Sequence, residues 1–110
     1  MTRSVLISDK ADQELRKTCA WWSKHRSPDE AERWYDKFVD RLLSLAEDAD
    51  QQAIAQDTHA FSTKVYQVNF GLGRKPTHRA LYIIRGSEVI VLRIRHLAQR
   101  EISERELFGD

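Results

Sequence analysis

At 110 residues, with 41% hydrophobic and 32% charged side chains, the chain has the size and balance of one soluble globular domain, which excludes a disordered segment. A formal net charge of +1 excludes a global field drawing it onto nucleic acid, and no apolar run approaches the roughly 20 residues of a membrane span. The N-terminus lacks the apolar core of a signal peptide, and the lone Cys19 suits a reducing compartment, so a cytoplasmic protein without metal or cofactor is expected.

In chain order, Val5-Leu6-Ile7 reads as a short edge strand. Ser8 or Asp9 then caps a helix whose apolar positions are Ala11, Leu15, Cys19 and Trp22. Ser27-Pro28-Asp29-Glu30 is a second helix start: a serine cap, proline in the first turn and a glutamate placed for a capping box. Ala31, Trp34, Phe38, Leu42 and Leu45 form its apolar stripe, and the short link between the helices predicts an antiparallel helical hairpin. Trp21 and Trp22, being adjacent, divide between the core and an exposed position.

Residues Asp50 to Ser62 lose periodicity and read as a loop. Lys64 to Phe70 alternates as a strand, and Gly71 to Thr77, with Arg74 and Lys75, connects it to a hairpin. That hairpin is His78 to Arg85, a Gly86-Ser87 turn, and Glu88 to His96. Strict alternation opposes Arg85 to Glu88, Ile83 to Ile90 and Leu81 to Leu92. It puts Leu81, Ile83, Ile90, Leu92 and Ile94 on the face the helices cover, and Tyr82, Arg93 and Arg95 on an open face. Residues 97–110 read as a charged tail with Leu107 and Phe108 isolated in it. The expectation is a single α+β domain over residues 1–110, an antiparallel sheet of three or four strands covered on one face by a two-helix hairpin. From Lys64 to Arg100 the fixed cations are Lys64, Arg74, Lys75, Arg79, Arg85, Arg93, Arg95 and Arg100, against the single acid Glu88. Function is expected at this basic end.

Ser27-Pro28-x-x-Ala31-x-x-Trp34 and the segment from Arg79 through the hairpin to Arg95-His96-x-x-x-Arg100 resemble the RelE/ParE superfamily of toxins from type II toxin–antitoxin (plasmid stabilisation) modules. The resemblance covers roughly Ser8 to Arg100 and implies a growth inhibitor neutralised by a cognate antitoxin, as a homodimer or a toxin–antitoxin hetero-oligomer. ParE-like members poison DNA gyrase without chemistry of their own. RelE-like members are ribosome-dependent mRNA endoribonucleases, which need a base for the 2′-hydroxyl, cations on the phosphorane and an acid for the leaving oxygen.

For the nuclease branch the resemblance points to Lys64, Arg79, His96 and Arg100 as catalytic groups. Tyr66 stands where a second lysine appears in the RelE pattern, and no tyrosine follows Tyr82. For either branch, Arg93, Arg95, Tyr82, Arg74 and Lys75 are the expected contacts with target or antitoxin. The ParE-like reading is preferred over the nuclease. A non-toxic interaction module that kept the fold is the reading from another class.

Overall fold

The computed structural model describes residues 2–57, 59 and 61–108. Thr58 and Ala60 of the expected loop, and Gly109 and Asp110 of the expected tail, lie outside them. Strand β1 (Ser4–Ile7) leads into helices α1 (Asp9–His25) and α2 (Pro28–Leu43), a short α3 (Leu45–Asp48) and one 3-10 turn. Strands β2 (Ala53–Ile54), β3 (Tyr66–Phe70), β4 (His78–Arg85) and β5 (Glu88–His96) follow, then α4 (Glu104–Phe108). They form one five-stranded sheet in the order β1-β5-β4-β3-β2, antiparallel except where β1 runs parallel to β5.

Both long helices start where their serines dictate. Ser8 Oγ accepts from the Ala11 amide at 3.1 Å, and Ser27 Oγ from the Glu30 amide at 3.0 Å. The capping box is only half built, because the Glu30 carboxylate turns to Arg26, 3.8 Å away. Ser27→Ala should therefore cost about 1 kcal/mol and lower the thermal midpoint by roughly 4 °C, a shift that calorimetry resolves. The stripe of α2 extends to Leu45, but the helix itself breaks at Ser44. There the serine hydroxyl donates back to the Arg41 carbonyl at 2.6 Å and the chain tightens into α3.

The hairpin turns where expected, with Gly86 at φ 60° as the first central residue of a II′-type turn. Its register holds from Arg85↔Glu88 to Tyr82↔Val91 and then slips, so Leu81 faces Arg93 and Leu92 is the extra residue of a β-bulge. The expected pairing of Leu81 with Leu92 is thus corrected. Because a bulge inverts all later side chains, Ile94 joins the face of Ala80.

The covered face is corrected as well. The helices pack on Ala80, Tyr82, Val89, Val91 and Ile94, with Leu15, Trp34, Phe38 and Leu42 filling the core from above. The Leu81–Ile83 face is closed instead by Val65, Ala55 and the tail, whose Ile102 and Leu107 are 1% and 4% exposed. The tail is therefore a docked strap. The Asp50–Ser62 loop contains a 3-10 turn and β2, and β3 begins at Tyr66 rather than Lys64.

Candidate functional site

Four residues of α1, Glu14, Lys17, Thr18 and Trp21, recur at i, i+3, i+4 and i+7 and therefore stand on one helix face. That face forms one wall of a groove of 780 Å³ whose floor is Ile94 and His96 at the end of β5. Both tryptophans line it, with ring centroids 6.5 Å apart and planes at 79°. The pair divides between core and surface as adjacency on a helix dictates, although both rings border the groove. Trp22 packs partly on the core, while Trp21 is 52% exposed and stacked 4.5 Å from the His25 ring. The Arg26 guanidinium lies 5.5 Å over the Trp22 ring, a cation–π contact that leaves its charge at the groove rim.

The acid in this groove is already committed. Glu14 accepts from Arg93 Nε and Nη2 at 3.0 and 2.7 Å, and from the Ile94 amide at 2.9 Å. Lys17 adds a fixed positive charge there, and Arg26 a second at the rim, 3.8 Å from the Glu30 carboxylate, so the groove lining carries more basic than acidic groups beside its aromatic wall. Behind it, His78 sits between Trp34 and His96, with centroids 5.2 and 5.0 Å away. Its pKa is pushed down to about 4, first by burial and then by His96. The Ala98 amide donates to His96 Nδ1 at 3.0 Å, which leaves the proton of a neutral ring on Nε2.

The four nuclease candidates do not converge. Arg79 is 1% exposed, and its Nη1 and Nη2 donate to Asp57 Oδ1 and Oδ2 at 2.9 and 3.0 Å, with Gln67 Oε1 at 3.0 Å completing the fork. Buried under the tail and forked onto Asp57, it is closed to an incoming phosphate. His96 lies across the sheet, on the helix side. Lys64 is exposed, its ammonium 5.1 Å over the Tyr66 ring. Arg100 is exposed and forked onto Glu106, both distances 2.8 Å.

Three of the five expected contact residues are also occupied. Tyr82 is fully buried, and its hydroxyl donates to the Ala49 carbonyl at 2.7 Å. Arg93 is held by Glu14 and by the Glu106 carbonyl, so it faces no open surface. Arg95 is 5% exposed and donates to the Arg100 carbonyl at 2.9 Å, while burial and then Arg93 and Arg79 lower its pKa. Only Arg74 and Lys75 are free at the surface, in the β3–β4 loop. A Cβ at Gly71 would lie 2.5 Å from the Lys75 carbonyl, so glycine is what lets this loop fold back. Among the described residues no group of three His, Cys, Asp or Glu could hold a metal ion. No helix among them is long and apolar enough to cross a membrane.

Sequence reasoning missed Asp57, Glu14 and Gln99. Asp57 and Glu14 find their partners 22 and 79 residues away, which no local pattern signals. Gln99 sits near its partner, the His96 amide, but a glutamine in a turn carries no signature.

A helical hairpin over one face of the sheet, with a strap on the other, is an α+β architecture shared by solved structures. A chain of the "Chromosomal ParDE TA system from P. aeruginosa" shares the fold at TM-score 0.69 and 19% identity, covering 86% of this chain and 96% of that one. A mutant of E. coli toxin RelE in the free state shares it at TM-score 0.57 and 14% identity, covering 89% and 86%. No curated protein sequence matches. The family model "ParE toxin of type II toxin-antitoxin system, parDE" matches residues 5–101, and the chain belongs to that family.

Proposed function

We propose that this type II toxin arrests growth by acting on DNA gyrase, and that an antitoxin silences it by seating an acidic amphipathic segment in the groove of α1 and β5. The family match over residues 5–101 carries the reading. The scatter of Lys64, Arg79, His96 and Arg100 over two faces of the sheet supports binding rather than phosphodiester cleavage. The groove supplies what an antitoxin of that kind needs, an apolar aromatic wall between fixed cations. Arg74 and Lys75 are the free cations we assign to contact with the target or antitoxin. Both partners place its work in the cytoplasm, in a toxin–antitoxin hetero-oligomer.

The test is induced expression without and with a co-expressed candidate antitoxin, following growth, the DNA-damage response and transcript integrity. Arrest with intact transcripts and a damage response, relieved by the antitoxin, is the expected result. Cleaved transcripts would replace gyrase with the ribosome as target, and no arrest from soluble protein would leave a silent interaction module.

A further inference from the structure

The two edges of the sheet differ. β2 closes one side with two residues, whereas β1 closes the other with four and carries no charge, proline or bulge from Ser4 to Ile7. In its parallel ladder the Ser4 amide donates to the Ser87 carbonyl and the Ser8 amide to the Val91 carbonyl, both at 2.9 Å. Alternation then turns the N–H and C=O groups of Val5 and Ile7 away from β5. The Arg3 amide in that outward row is taken by the Ala46 carbonyl at 2.9 Å, but among the described residues no hydrogen bond reaches the Val5 and Ile7 amides. Val5 and Ile7 send their side chains into the helix-side core, so Leu6 stands on the other face, 46% exposed, beside Ile90. Leu43, 50% exposed, ends α2 shortly before Ala46, so a second bare leucine borders the same edge.

We infer that β1 pairs antiparallel with β1 of a second copy of this chain across a two-fold axis at Leu6, joining the two sheets into one. Such an interface is isologous, so the edge must complement itself. It does. With Leu6 on the axis, Val5 lies opposite the partner's Ile7 and Ile7 opposite the partner's Val5. Each pair exchanges both of its bonds, which satisfies the backbone groups that β5 leaves free. Onward from there, Ser4 meets the partner's Ser8, Arg3 the partner's Asp9 and Thr2 the partner's Lys10. Thr2 Oγ1 lies 3.5 Å from Glu47 Oε1, so the partner's Lys10 approaches a carboxylate and opposite charges meet at each end of the seam. A strand from another protein could use the same amides, but this match of charges comes from the chain's own order. Leu6 packs on the partner's Leu6, and the axis keeps both helical layers on one side of the joined sheet.

The seam is short for a permanent dimer, so association depends on concentration, with an expected Kd of about 10 µM. Sedimentation velocity of the purified chain from about 1 to 200 µM reads it. Leu6→Lys puts like charges on the axis and should raise the Kd by about tenfold or more. Circular dichroism and the thermal midpoint should stay unchanged, because Leu6 is exposed. In a Cys19→Ser background, Leu6→Cys should form a disulfide-linked dimer under mild oxidation, since Cβ atoms directly opposite lie about 4.5–5.5 Å apart, near disulfide range. Ser4→Cys, which faces the partner's Ser8, should not.

A chain that stays monomeric at the highest concentration would overturn the pairing. So would a dimer that Leu6→Lys leaves intact, or crosslinking by Ser4→Cys as ready as by Leu6→Cys. If Leu6→Lys does not fold, the two crosslinks decide. A monomer that loses an antitoxin through Leu6→Lys would give the edge to that partner and overturn the second copy. None of these readouts depends on growth arrest, so the toxin reading stands or falls separately.

Discussion

Asp57→Ala is expected to cost about 3–5 kcal/mol of stability, the loss that follows when one partner of a buried ion pair is removed. The carboxylate is fully buried and makes three stabilising contacts, two from the Arg79 fork and one from the Ile102 amide at 3.0 Å. Without it Arg79 keeps its charge in the core with only Gln67 as partner. It would do so beside Arg95, itself buried with an Nε that has no partner. The tail would lose its tie to the sheet in the same step. Changing Asp57→Leu and Arg79→Met together should cost less than either single change, because no charge is then stranded. Urea unfolding of the three variants measures this; a single-variant loss below about 1 kcal/mol would contradict it. Burial alone would raise the Asp57 carboxyl, but Arg79 and the Ile102 amide outweigh it and hold the pKa below the ordinary aspartate value. The pair therefore supports the fold above about pH 4 and releases it only in stronger acid.

Acid sensitivity should begin earlier, at His78. Its folded pKa of about 4 lies below the ordinary 6.5, so the unfolded chain binds a proton that the native state refuses between those values. Stability then rises with pH across that window: it is fully present above about pH 6.5 and falls by about 3 kcal/mol on the way to pH 4. The groups facing the ring explain the refusal. Trp34 and Phe38 press on it from α2, His96 faces it from β5, and Thr77 Oγ1 lies 2.8 Å from its Nδ1. Unfolding followed from pH 7 to pH 4.5 should show the loss, and the His78 ring should remain neutral by NMR throughout most of it. An imidazole titrating near 6.5 would contradict the account.

The helical hairpin was legible because its signals are local: two serine caps, a proline in the first turn, and apolar residues at helical spacing. The hairpin turn was legible for the same reason, since Gly86 supplies the positive φ it needs. The side of the sheet that the helices cover was not. Residues His78 to Ile83 of β4 are buried without a break, so alternation along this central strand cannot tell one face from the other. The bulge at Leu92 then inverted the reading of Arg93 and Arg95, and an extra residue within an unbroken β-branched run leaves no mark in the pattern.

The basic end of the chain was read as open surface because its acids lie elsewhere. Glu14 comes from α1, Asp57 from the β2–β3 connection and Glu106 from the strap, and together they bind Arg93, Arg79 and Arg100. Leu107 looked isolated in a charged stretch, yet it packs with Ile102 in the cluster that closes the Leu81–Ile83 face. Of the groove, one exposed tryptophan was legible, though not which of the adjacent pair it is. The β5 edge held by Glu14 and Gln99 was not, because it depends on where β1 stops pairing.

The central claim, a toxin that acts on gyrase by binding, is tested most directly with purified components. The chain is added to DNA gyrase, plasmid and ATP, and supercoiling and trapped DNA breaks are read on a gel, with total RNA as a parallel substrate. The account predicts inhibited supercoiling, relieved by stoichiometric antitoxin, with the RNA intact. Unimpaired supercoiling by folded protein that nevertheless arrests growth would contradict it.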